Sequence, residues 1–177
     1  MISCTLIKKD KTLIIQAFIH RSFYNENRSF IDEHNERLEF LGDSVLGLLI
    51  SDYLYQHLPS QAEGELSQLR AYLVEAGSCA RLLQKLEVSS FVLLGKGEQM
   101  NAGRGRETIL ADLFEALIGA IYMDGGFVEV HRVFWSHFKE EIESLLKRPF
   151  RNWKAELQDY SQKRYQKPPV YKVEKET

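Results

Sequence analysis

The chain has 177 residues, 44% of them hydrophobic and 27% charged, with a net charge of −2 at neutral pH. That make-up suits one folded domain with an appendage and excludes disordered, collagen-like or disulfide-stapled chains. No apolar run approaches the roughly eighteen residues of a membrane span, and Met1–Lys11 holds no apolar core long enough for a secretory leader. Cys4 and Cys79 stand apart, without a CxxC or metal-type spacing, and are expected to stay reduced in a cytoplasmic setting.

Within residues 11–24, Leu13, Ile14, Ala17 and Phe18 recur at helical spacing and predict a first helix ending near His20-Arg21. The polar segment from Tyr24 to His34 reads as a loop. A long helix is predicted from Asn35 to Tyr55, stopping ahead of Pro59. Gly64 is expected to break the following stretch. Leu66, Leu69, Leu73 and Val74 then mark an amphipathic helix with an apolar surface for a partner, and Ser78–Leu86 another helix. Residues 93–106 hold Gly95, Gly97, Gly103 and Gly105 and read as a loop carrying Lys96, Arg104 and Arg106. Thr108 is the expected N-cap of the next helix, an almost wholly apolar one from Ile109 to Met123. Basic groups and free N–H groups at such a helix start suit phosphate. Asp124-Gly125-Gly126 should end that helix, and a last amphipathic one should run from Phe127 to Leu146. Arg148-Pro149-Phe150 reads as a linker. Beyond it, Trp153–Tyr160 reads as a short amphipathic helix, and Lys167–Val173 alternates like the start of a strand.

Two of these helices carry carboxylates where apolar side chains are expected. Between Leu38 and Ile50 the only ionisable groups are Glu39 and Asp43, four apart and so on one face, with Glu36 earlier on the same stripe. No Lys or Arg lies one turn away on that stripe. In the second helix the charges are Asp112 and Glu115, neighbours at i, i+3. A bare buried carboxylate normally protonates or finds a partner. Two acidic pairs on two apolar helices point to carboxylates converging on one or two divalent cations, and oxygen-only ligation favours Mg2+ or Mn2+ over zinc.

At these residues the chain resembles the ribonuclease III family. Asn35–Leu46, NERLEFLGDSVL, is similar to that family's signature. His20-Arg21-Ser22 resembles its early HRS turn, and Glu63–Ser67 its EGxLS stretch. Arg106–Asp112 and Glu115–Ala120 resemble its second acidic helix. The resemblance covers about residues 5 to 147 and implies an all-α nuclease domain that dimerises and cuts double-stranded RNA with Mg2+, with Mn2+ able to substitute. It implies metal binding by Glu39, Asp43, Asp112 and Glu115, with Asp43 and Glu115 catalytic, and places Glu36 and Glu63 in the acidic valley or at the dimer contact. Lys96, Arg104 and Arg106 are the candidate RNA contacts. The implied products are 5′-phosphate and 3′-hydroxyl ends with a two-nucleotide 3′ overhang, in rRNA and mRNA processing and decay in the cytoplasm. The expected organisation is a nuclease domain over 1–148, a linker over 149–152, and over 153–177 the truncated start, helix plus strand, of an α/β double-stranded-RNA-binding domain.

The negative net charge by itself speaks against a polyanionic partner. Residues 151–177, however, hold seven basic and four acidic groups, leaving 16 basic and 21 acidic in the rest. An acidic body is what a carboxylate-lined cation site produces. A di-iron bundle is disfavoured, since no Glu is followed by His three residues later and no HxxxH occurs. A scaffold that binds RNA without cutting it would be expected to lose an acidic position, and none is lost. The Gly-rich segment is not a GxxxxGK[ST] loop, so no nucleotide cofactor is expected.

Overall fold

The computed structural model describes residues 10–100, 105–147 and 153–172. Eight α-helices span them: α1 Lys11–Ala17, α2 Arg21–Glu26, α3 Glu36–His57, α4 Glu63–Val74, α5 Ala76–Lys85, α6 Lys96–Met100, α7 Arg106–Lys147 and α8 Trp153–Tyr165. Among the described residues extended pairing is limited to a single parallel bridge, Ile19 to Leu93, so the all-α expectation holds.

The core forms where α3 and α5 pack on α7. On α3 the buried positions are Leu38, Gly42, Val45, Leu46, Leu49, Ile50 and Leu54, the three-and-four spacing of one helix face. From Leu110 to Ile121 nearly every side chain of α7 except Asp112 and Glu115 is buried, as expected of a central helix covered on all sides. Gly126 interrupts it with φ 72° and ψ −173°, a backbone state that glycine alone adopts cheaply. The Asp124–Gly126 segment thus ends the first half as predicted, and the chain re-enters a helix at once. Asp124, buried just before the break, accepts the Asp10 N–H at 2.8 Å, and Asp10 in turn caps α1 through the Thr12 N–H.

Several boundaries differ from the sequence expectation. The predicted first helix is two helices. Leu93 donates its N–H to Phe18 and accepts from the His20 N–H, which pulls Phe18–His20 out of helical geometry, and His20 then caps α2 through Ser22. Helix α2 extends into the segment read as loop. Gly64 lies inside the first turn of α4, where the Glu65 carboxylate accepts the Ala62 N–H at 3.1 Å. Leu66 and Leu69 pack half-buried against this chain's own core, which covers part of the apolar face assigned to a partner. Part of the glycine-rich segment is helix α6, whose Lys96 N–H is taken by the Glu26 carboxylate at 2.9 Å; residues 101–104, with Arg104, lie outside the described residues. Helix α7 starts at Arg106, which puts Thr108 inside it and not at its cap. The Arg148–Phe150 linker lies outside the described residues. Helix α8 runs further than read, to Tyr165, and 167–172 form no strand; a strand needs a neighbour for its ladder, and none of the described residues offers one.

Candidate metal centre

Helices α3 and α7 cross where neither has a side chain. A Cβ on Gly42 would stand 1.8 Å from the Glu115 carbonyl oxygen, and one on Gly119 2.2 Å from the Leu38 carbonyl oxygen. Those separations are possible only for glycine. The close approach brings together the side chains of the turns that precede each glycine, and on both helices those include the carboxylates: Glu39 one turn before Gly42, and Glu115 and Asp112 one and two turns before Gly119.

Glu39 from α3 meets Asp112 and Glu115 from α7, each offering an oxygen within 4.8 Å of the others, and all three are half-buried. Around a small hard cation with bonds of about 2.1 Å, octahedral ligand oxygens stand roughly 3.0–4.2 Å apart. Three carboxylates converging from two helices match that requirement in donor type, and their oxygens lie close enough to share one cation. The charges make themselves felt. Burial pushes the Glu39 carboxyl up to about 7, helped by Asp112, Glu36 and Asp43. Glu115 is likewise pushed up to about 7, first by burial and then by Asp43, Asp112 and Glu39. Asp112 is raised by burial and by Glu36.

The other sequence-selected residues are distributed differently. Asp43, one turn beyond Glu39, is exposed and outside the gathered three, although its field reaches Glu39 and Glu115. Glu36 turns away to an ion pair with Arg21 at 3.1 Å. Its neighbour His34 accepts the Glu36 N–H at Nδ1 at 3.4 Å, and its ring lies tilted against Tyr24 with centroids 5.0 Å apart. Glu63 opens α4, exposed, and accepts from the Ser67 hydroxyl at 2.8 Å. Lys96 and Arg106 are exposed at the starts of α6 and α7.

Two residues at this site were not found from the sequence. Arg21 supplies Glu36 with the cation missing from its own stripe, from a different helix. Cys79 on α5 is wholly buried, with its thiol 3.9 Å from Glu115 Oε1; burial and the Glu115 charge hold it far above the ordinary thiol range. Neither has a signal in spacing, because the contacts are made between helices.

The sequence model of the Ribonuclease-III-like family matches residues 10–142. Ribonuclease 3 of Protochlamydia amoebophila is 61% identical over 165 residues, covering 93% of this chain and 68% of its own length. Ribonuclease 3 of Caldanaerobacter subterraneus is 48% identical, covering 87% and 68%, and that of Leptospira interrogans 43%, covering 91% and 65%. The chain therefore spans about two thirds of these relatives. Among solved structures, the nuclease domain of ribonuclease III from Campylobacter jejuni superposes with a TM-score of 0.67 at 39% identity, over 76% of this chain and 87% of that one. Dicer from Pichia stipitis superposes at 0.58 and 25% identity, over 96% and 75%.

Proposed function

This chain belongs to the ribonuclease III family, and on that premise we propose that it is a Mg2+-dependent endonuclease of double-stranded RNA. The observation that carries the reading is the meeting of Glu39, Asp112 and Glu115 at a crossing made by Gly42 and Gly119. Such a set is costly to gather without a cation to hold, since like charges that close oppose ionisation.

Glu39, Asp112 and Glu115 would bind the metal, with Asp43 joining from the exposed side where a duplex approaches. When bound, Mg2+ or Mn2+ activates a water and neutralises charge building on the phosphodiester. Glu115 and Asp43 are the catalytic residues in this reading. Glu115 gives up its proton to become a ligand, and Asp43 orients groups at the solvent-facing edge. The outcome is hydrolysis to 5′-phosphate and 3′-hydroxyl ends. Lys96, Arg104 and Arg106 are proposed phosphate contacts. An A-form duplex would be recognised through its phosphates and 2′-hydroxyls more than its sequence. The work of the protein would be rRNA and mRNA processing in the cytoplasm. No helix among the described residues is long and apolar enough to cross a membrane.

One such site cuts one strand, so a duplex cut calls for two chains. Phe40, Leu48 and Tyr55 of α3 are 78%, 54% and 76% exposed, and their spacing of eight and seven keeps them on one side of the helix, turned away from Glu39 and α7. A symmetric pairing on that stripe would cover it, and the Campylobacter jejuni nuclease domain is described by a region involved in dimer formation. The test is a labelled RNA duplex incubated with the chain, with Mg2+ and with EDTA. Cleavage in the first and none in the second is expected; an intact duplex under both conditions would refute the nuclease reading.

A further inference from the structure

Glu115 is held from two directions. Its main chain is pressed against Gly42 of α3, and its side chain is met from α5 by Cys79. Among the described residues Cys79 is the one side chain that offers the Glu115 carboxylate a hydrogen. The thiol is 0% exposed, so no water competes for it there. Its single proton has two acceptors in reach, Glu115 Oε1 at 3.9 Å and the Val74 carbonyl, at the end of α4, at 3.5 Å. Val74 is the last residue of α4, so its carbonyl has no partner within that helix, and the thiol bridges a helix end to a carboxylate of the gathered set.

We propose that Cys79 is a positioning residue for Glu115. Its thiol holds the carboxylate in the orientation in which it meets Glu39 and Asp112. Glutamate has three side-chain torsions, and a ligand free to rotate among them pays that freedom back each time a cation binds. A donor behind the ligand removes part of this cost, as the outer partners of metal ligands generally do. Cys79 does not itself bind metal in this account. The inference rests on reading Glu39, Asp112 and Glu115 as a cation site.

The test compares the whole chain with Cys79→Ala, Cys79→Val and Cys79→Ser. The first readout is the rise in melting temperature on titrating Mg2+ without RNA, which needs no activity. The second is kcat and KM for duplex cleavage at limiting Mg2+. Alanine and valine lack the donor, and their Mg2+ half-point should rise about tenfold, with kcat lowered and KM for the duplex unchanged. Serine restores a donor and should restore the half-point. A role in packing alone would lower the metal-free melt and leave the Mg2+ half-point where it was, which would overturn the proposal. A serine half-point shifted as far as alanine's would overturn it too. An unsubstituted chain whose melt ignores Mg2+ would instead refute the metal site itself, and the proposal with it, before any variant is compared.

Discussion

Burial and the neighbouring carboxylates bring Glu39 and Glu115 to half-ionisation only at about pH 7 in the folded chain, against about 4.5 when unfolded. Between those values the folded state holds more protons than the unfolded one, so their contribution to stability is complete below about 4.5 and is lost as pH rises through 7. In the metal-free protein, Glu115→Gln should therefore melt level with or above its parent at pH 8, and lose that advantage toward pH 4.5. Added Mg2+ should invert the order at pH 8, because the parent gains ligand-linked stability that the variant partly forfeits. The variant should not cleave. Paired melts with and without Mg2+, beside a cleavage assay, check this; a glutamine variant that melts far lower without metal contradicts the shared site. For the parent, cleavage at limiting Mg2+ should climb as pH passes through 7, since a carboxyl must shed its proton before it can ligate. A flat profile from pH 6 to 8 would count against it. The three carboxylates that gather, Glu39, Asp112 and Glu115, were legible in the sequence because ionisable groups on an apolar stripe stand out, whereas that Asp43 would stay exposed beside them was not. Arg21 and Cys79 were not, because the periodicity of one helix carries no information about what another helix brings to it.

At the level of helices, the site depends on how closely α3 and α7 approach. Gly42→Ala and Gly119→Ala each drive a methyl into a backbone carbonyl that cannot swing aside. Each should cost about 1–3 kcal/mol or more and, by spreading the helices, separate the carboxylates and abolish cleavage. Gly47, on the same helix with nothing within 4 Å of its virtual Cβ, is the control: Gly47→Ala should be neutral or stabilising by up to about 1 kcal/mol. Denaturant melts and cleavage rates of the three variants decide the matter. If Gly42→Ala is as stable and active as Gly47→Ala, the crossing does not hold the site. The sequence showed α3 and the second half of α7 to within two residues, as long periodic segments allow, whereas the first half of α7 starts three residues earlier than read. The short elements were misread wherever a distant partner decided them. Leu93 splits α1 from α2, and the Glu26 carboxylate seats the first amide of α6 inside a stretch whose glycines suggested only loop.

For the molecule as a whole, the exposed stripe of Phe40, Leu48 and Tyr55 is the surface most in need of a partner. Light scattering at micromolar concentration should give twice the 20.6 kDa of the chain. Phe40→Asp should shift it to a single chain, and cleavage of both strands should fail while the Mg2+-dependent melt persists. A parent that stays at 20.6 kDa removes the dimer.

The meeting of α3 with α7 also sets when the cation can act during folding. The two helices are separated along the chain by α4, α5 and α6, so the carboxylates come together only once the intervening chain has closed and the two helices have met. Contacts completed after the rate-limiting barrier change the rate of leaving the native state and not the rate of reaching it. Mg2+ should therefore leave the refolding limb of a chevron almost untouched and slow the unfolding limb, acting as a latch on a finished fold and not as a template for making it.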